Sequence, residues 1–141
     1  MQNFLLLAAK IALPPNQYDK RAYWLGCIGI RNDGTRVYSR NGAVYSTSTF
    51  SYKLIPDSHA EGRILRKLDT ESIIYIARVS RKDHSLAMSK PCGMCRTRIR
   101  AKGVKKVYYT INQNCYGVWN VYKNLYKICK FNVNCLPLYF Y

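Results

Sequence analysis

Two short motifs carry the residue types that could do chemistry. The stretch PCGMC, residues 91–95, holds two cysteines three positions apart, and the stretch HAE, residues 59–61, holds a histidine and a carboxylate. Each motif follows a loop and opens a predicted helix. His59, Cys92 and Cys95 are ligands of borderline softness, which suits tetrahedral zinc. Three protein ligands leave a fourth position for a water or hydroxide, an arrangement typical of a catalytic zinc site.

The second chemical feature is Glu61, two residues beyond the histidine. Its carboxylate cannot share the ligation direction of His59, so we expect it beside the zinc water, where it can take a proton and pass it to a leaving amine. Other interpretations stay open on these residues alone. Ser58 and Glu61 form a capping box, and the cysteine pair could be a structural zinc knuckle or a redox pair. No second Cys-x-x-Cys completes a four-cysteine site.

The elements that must position these motifs follow from hydrophobic periodicity. The pattern predicts an opening helix closed by Pro14-Pro15, a hairpin turning at Asn32-Asp33-Gly34, and a long loop over residues 40–58. Then come a helix over 59–68, a strand over 72–80, a helix from Cys92 to Gly103 and a strand over 105–110. Strands separated by helices predict a three-layer α/β (α-β-α) fold with a mixed central sheet. In such a fold the starts of neighbouring helices meet at one edge of the sheet.

The hydrophobic pattern in the final part of the chain predicts a last helix and a tail over residues 116–141. The helical spacing belongs to Val118, Val121, Tyr122, Leu125 and Cys129, and residues 131–141 could add an edge strand. No linker or repeat interrupts the chain, so we expect a single domain over 1–141, with its core in about 1–125. Cys27 is predicted to lie in the core, and the roles of Cys115, Cys129 and Cys135 stay open.

The amino-acid composition limits the classes of binding partner to be expected. The 23 Lys and Arg against 7 Asp and Glu give a net charge of +16, which predicts attraction to phosphorylated small molecules or to nucleic acid. A biased codon usage is the simpler alternative. The apolar run over residues 4–9 is too short to span a membrane. A cytoplasmic location is therefore expected (the host cytoplasm, if the chain is phage-encoded), with reduced cysteines.

His-x-Glu followed by Pro-Cys-x-x-Cys is the signature of zinc nucleobase deaminases. The sequence resembles the cytidine and deoxycytidylate deaminase superfamily over about residues 1–125, and small deaminase-like proteins of bacteria and phages in particular. The resemblance is carried by LGCIGIRNDGTRVYSRNGA, HAEGRILRKLD, IYIARVSR, SKPCGMCRTRIRAKGVKKVYYT and YGVW. It implies a cytidine-deaminase-like fold, one zinc ion on His59, Cys92 and Cys95, Glu61 as the catalytic residue, and substrate contacts from Asn41, Ala60 and Pro91. Gly62-Arg63 departs from the usual Asn-Ala of deoxycytidylate deaminases.

These expectations predict a zinc-dependent hydrolytic deaminase that converts a cytosine-type base to uracil on a free nucleoside or nucleotide. The first alternative is a deaminase of single-stranded DNA or RNA, acting on cytosine or adenine, with the basic residues 96–106 along a strand-binding groove. The second alternative is a non-catalytic, zinc-stabilised nucleic-acid-binding module. Helix faces left over in this architecture also allow a homo-oligomer.

Overall fold

The computed structural model describes residues 2–13, 23–40 and 64–131. Within these residues seven strands form one mixed sheet, in the order β2-β1-β3-β5-β6-β7, with β4 added beside β3. The prediction of an α/β fold with a mixed sheet is confirmed. The elements are α1 (Gln2–Ala12), β1 (Tyr23–Ile30), β2 (Arg36–Arg40), β3 (Ile73–Ser80), β4 (Leu86–Ala87), α2 (Gly93–Lys102), β5 (Lys106–Thr110), β6 (Cys115–Asn120) and β7 (Leu125–Lys130).

The predicted hairpin joins β1 to β2 through the Asn32-Asp33-Gly34 turn. Gly34 takes φ 89, a left-handed conformation that glycine adopts without steric cost. The Thr35 amide donates to the Asp33 carboxylate at 2.9 Å. Hydrogen bonds from Thr35 lower the pKa of Asp33, because they stabilise the charged form. The turn therefore forms through its own local hydrogen bonds, as its sequence predicts.

The parallel pair in the sheet is β3 with β5, which run side by side from Ile73↔Lys106 to Ile76↔Tyr109. Parallel strands need a crossover connection, and here α2 lies within it. The other neighbouring pairs in the sheet are antiparallel. The crossover places the start of α2, with its cysteines, after β3 and before β5.

Two apolar cores lie on the opposite faces of the sheet. One core packs the buried face of α1, including Leu5 and Leu6, against Trp24, Ile28 and Tyr75 of the sheet. The other core joins the chain around residues 64–68 to α2 and the sheet, through Ile64, Leu65, Leu68, Ile74, Ile76, Ile99, Val107 and Trp119. Alternate residues of β3 enter different cores, as a strand buried on both faces requires. The three-layer arrangement is thus confirmed, and so is the core position of Cys27, which is fully buried.

Aromatic side chains fill much of the α1 core. Tyr75 stacks on Tyr108 with ring centroids 4.7 Å apart, and Phe4 of α1 lies 5.0 Å from the Tyr75 ring. Burial, followed by the neighbouring Tyr108, raises the pKa of Tyr75 to about 12. These phenols therefore serve as neutral packing groups in the core.

The predicted helix over Val118–Cys129 is wrong. β6 and β7 form an antiparallel hairpin there, from Cys115↔Lys130 to Asn120↔Leu125, with a turn over residues 121–124. The misleading helical spacing arises because β7 is largely exposed and shows no inward–outward alternation. Valine, tryptophan and tyrosine favour strands, and β6 is held by its ladder to β5. Of the predicted edge strand over 131–141, residues 132–141 lie outside the described residues.

The helix predicted over 59–68 is described only at its end. Ile64 and Leu65 are helical, and a turn follows at residues 66–67. The Lys67 amide donates to the Ile64 carbonyl at 2.9 Å. The helix therefore ends at Leu65, three residues before the predicted end at Leu68, and its start lies outside the described ranges. In the part of the chain that the structure covers, no helix is long and apolar enough to cross a membrane.

Candidate active site

The structure describes one half of the predicted site. Pro91, Cys92 and Cys95 lie at the start of α2, where Pro91 and Cys95 are buried and Cys92 is exposed. The other predicted site residues lie outside the described residues: Asn41, His59, Ala60 and Glu61. Among residues 2–13, 23–40 and 64–131, no three His, Cys, Asp or Glu side chains are grouped to hold a metal. The described part of the predicted site is therefore the cysteine pair with Pro91.

Cys92 is the N-cap residue of α2. Its backbone is extended, with φ −69 and ψ 170, and its carbonyl accepts from the Arg96 amide at 2.8 Å. The Cys92 side chain makes no capping hydrogen bond to the helix. Cys95 lies on the first turn and is 4% exposed. At the start of α2, Cys92 thus lies at the surface and Cys95 lies on the buried face of the helix.

The donor set and its placement fit a zinc ion. Thiolates are the preferred soft ligands of zinc, and the Cys-x-x-Cys spacing places two of them around one helix start. The positive end of the helix dipole favours the thiolate form there. Cys92 and Cys95 would supply two ligands, and the predicted His59 would supply the third.

The loop before the cysteines is held by a buried polar network. The Ser89 amide donates to the Thr110 carbonyl at 2.8 Å. The Ser89 hydroxyl lies 3.0 Å from the Ile76 carbonyl and 2.9 Å from the Thr110 hydroxyl. The Thr110 hydroxyl in turn donates to the Ala87 carbonyl at 2.8 Å and accepts from the Arg78 amide at 3.1 Å. Ser89 and Thr110 are 4% and 0% exposed, so water does not compete for these bonds.

Sequence reasoning missed this network. Ser89 stands two residues before Pro91, and Thr110 ends an apolar strand. A small hydroxyl residue at the end of a buried strand was the available signal, because such a group needs a partner inside the protein. The network links Ser89, in the loop before PCGMC, to both parallel strands. It therefore fixes the position of the cysteines relative to the sheet.

Thr110→Val tests the network with a substitution of nearly equal shape. It removes the hydrogen-bond acceptor of the Arg78 amide. It also takes one hydrogen-bond partner each from the Ser89 hydroxyl and the Ala87 carbonyl. Leaving buried polar groups unpaired costs about 1–3 kcal/mol each, so we expect a loss of about 2 kcal/mol in the free energy of unfolding. Urea denaturation monitored by circular dichroism measures it.

Thr97→Val is the matched control, since the Thr97 hydroxyl only bonds the Gly93 carbonyl on an exposed helix face, at 3.0 Å. Its change should stay within about 0.5 kcal/mol. Equal effects of the two valines would show that the Thr110 hydroxyl has no special role in the fold.

Comparisons with known proteins were made by sequence and by structure. No family model and no curated protein matches this chain. Its structure is similar to the cytidine deaminase from Burkholderia pseudomallei, with a TM-score of 0.57 and 20% sequence identity over 89% of this chain and 96% of that one. The chain has the cytidine deaminase fold.

Two weaker structural likenesses are to the cytidine deaminase from Mycobacterium tuberculosis. The TM-scores are 0.45 for a mutant of that enzyme, at 20% identity, and 0.42 for a second structure of the enzyme, at 18% identity. They cover 79% of this chain, and 87% and 86% of the respective neighbours.

Proposed function

We propose that the chain is a zinc-dependent hydrolytic deaminase that converts a cytosine-type base to uracil, most readily on a free nucleoside or nucleotide. One observation carries the proposal. In a chain with the cytidine deaminase fold, the PCGMC cysteines open the helix between the two parallel strands. The structural match covers 96% of the enzyme from Burkholderia pseudomallei, so the proposal rests on a comparison with nearly the whole of that enzyme.

The proposed roles follow from the residue chemistry. His59, Cys92 and Cys95 hold the zinc, and the buried position of Cys95 beside the exposed Cys92 leaves one side of the helix start accessible to substrate. When bound, zinc supplies a Lewis acid that brings the pKa of a water towards neutrality. Asn41, Ala60 and Pro91 orient the substrate.

Proton transfer is assigned to Glu61. The water oxygen adds to the ring carbon that bears the exocyclic amine, and the Glu61 carboxylate takes the proton that the water loses. The protonated Glu61 then gives that proton to the neighbouring ring nitrogen. In a second transfer Glu61 takes the proton of the new hydroxyl group and gives it to the amine nitrogen, so the carbon–nitrogen bond breaks and ammonia leaves. The base retains the water oxygen as its new carbonyl, and Glu61 returns to its carboxylate form.

A second candidate is a deaminase that acts on single-stranded nucleic acid. The observation in its favour is the charge of α2, which carries Arg96, Arg98, Arg100 and Lys102 within a chain of net charge +16. Phosphate backbones bind such surfaces with affinities that fall steeply as salt increases. The polymer and the free nucleotide would present the same base to the same residues.

A substrate panel separates the two candidates. Protein of measured zinc content is incubated with cytidine, CMP, dCMP, single-stranded DNA and tRNA, and ammonia release is followed. We expect about one zinc per chain and turnover of at least one of the three free cytosine compounds. Turnover confined to polymers, with strong salt dependence, would favour the second candidate. Zinc-loaded protein that deaminates none of the five would overturn both.

A further inference from the structure

A cavity of about 500 Å³ lies between the outward face of α2 and the β6–β7 hairpin. Its volume falls within the usual range for small-ligand sites, roughly 300–1,000 Å³. Its lining includes three cations and three polar or aromatic residues: Lys90, Arg96, Arg100, Thr97, Asn124 and Tyr126. The described residues that line the cavity include no carboxylate.

This cavity lies on a different face of α2 from the buried cysteine. Arg96 and Arg100 are four residues apart and so share one face of the helix. Cys95 and Ile99 are the buried residues of α2, and Ile99 packs in the core that α2 shares with the sheet. The cavity therefore adjoins the start of α2, where Gly93 lines it, and it extends along a different face of the helix from Cys95.

The three cations are held in place by neutral groups. Arg96 donates to the Pro91 carbonyl at 3.2 Å, and Arg100 donates to the Asn124 side-chain carbonyl at 3.1 Å. Lys90 lies over the Tyr126 ring, with its ammonium 4.2 Å from the ring centroid. These contacts fix the side chains and leave their charges without a counter-ion among the described residues. Each guanidinium has further N–H groups with which to bind a ligand.

The aromatic groups of the cavity already have partners. Tyr126 stacks on Trp119 with ring centroids 5.7 Å apart and an interplanar angle of 2°, and the same tyrosine holds Lys90. Trp119 itself donates its indole N–H to Asn124 at 3.1 Å. The rings thus serve to place the cations and Asn124, and the groups that remain to recognise a ligand are the positive charges.

We propose that this cavity binds a phosphate group, held by Arg96, Arg100 and Lys90. Guanidinium groups bind phosphate oxygens through paired charge-assisted hydrogen bonds, and the lysine adds a third positive charge. The phosphate belongs either to a free monoester or to the backbone of a nucleic-acid strand. The proposal does not depend on deaminase activity, because the binding of a phosphate needs neither zinc nor a base that carries an amine.

The test uses probes that contain no amine to be removed. Inorganic phosphate, dTMP and thymidine are titrated by calorimetry, and a fluorescent ten-nucleotide deoxythymidine strand is titrated by anisotropy. The proteins are the full-length wild type and the double variant Lys90→Gln/Arg100→Gln, which keeps the Arg96 contact to Pro91. We expect the double variant to bind at least one phosphate-bearing probe about tenfold more weakly or worse.

The matched control is Arg81→Gln/Lys82→Gln, which removes the same charges from two exposed residues outside the cavity. Both double variants lower the net charge from +16 by two. Weaker binding of phosphate and dTMP by the cavity variant alone identifies a monoester site. Weaker binding of the strand alone identifies a phosphodiester site. Arg96→Gln is the second variant if the first one melts early, and it should weaken the same probe.

Three results would overturn the proposal. These are equal losses in the two double variants, binding of thymidine as tight as that of dTMP with no binding of the strand, and no binding of any phosphate-bearing probe to the wild type.

Discussion

Glu61→Gln is expected to lower the deamination rate by about 10²–10⁴-fold while the zinc content stays near one ion per chain. Glutamine keeps the size and the hydrogen-bonding reach of the side chain, but it cannot take a proton from water at neutral pH. Substrate binding does not need that proton transfer, so KM should change much less than kcat. Steady-state kinetics on the best substrate of the panel, together with metal analysis, measure both quantities.

The comparison with Cys92→Ala separates proton transfer from metal binding. Loss of Cys92 removes a proposed ligand, so zinc content and activity should fall together. If Glu61→Gln also loses its zinc, the carboxylate is needed for the metal site itself. If Glu61→Gln keeps full activity, the proposed proton carrier is wrong, and the interpretation of Glu61 as a capping-box residue is favoured instead.

Gly26→Ala is expected to cost about 3 kcal/mol of the free energy of unfolding. Gly26 lies in β1 on the face that meets α1, where a methyl group would collide with the Ala8 carbonyl and lie 2.6 Å from the Ala12 amide nitrogen. Both are backbone atoms of the helix, so no rotation of a side chain relieves the contact. The helix would have to move away from the core that holds Leu5 and Leu6. Urea denaturation should show a lower midpoint.

Gly93→Ala is the control for this prediction. A methyl group on Gly93 would meet only the end of the Arg96 side chain at 3.9 Å, which is ordinary van der Waals contact. Alanine also favours the helix more than glycine does, so the control should be neutral or stabilised by up to about 1 kcal/mol. A Gly26→Ala protein as stable as the wild type would contradict the close packing of α1 on β1.

Local signals account for the parts of the fold that sequence predicts. The Asn32-Asp33-Gly34 turn and the helix from PCGMC to Gly103 form through contacts between near neighbours in the chain, and the β-branched residues of β3 themselves favour a strand. Gly103 indeed ends α2 in a left-handed conformation, with φ 86. For the same reason the cysteine half of the site was predictable. Its partner half, His59 and Glu61, stays a prediction.

Long-range contacts decide the parts that sequence did not predict. The spacing from Val118 to Cys129 suits a helix, yet the pairing of β6 with β5 turns it into a hairpin. Similarly, Ser89 and Thr110 meet only because β3 and β5 are parallel and in one register. The cationic cavity depends on the same hairpin, since Asn124 and Tyr126 belong to it. Single-sequence periodicity contains no information about such partners.

The network between Ser89 and Thr110 also sets an order of events during folding. Thr110 is the last residue of β5, and it follows the cysteines in the chain. The loop before Cys92 therefore reaches its final position only after β5 has joined β3, a non-local step that is slow compared with helix formation. On the ribosome, the cysteines leave the exit tunnel before the strand that positions them. The proposed binding of zinc in the final geometry must then follow the synthesis of β5.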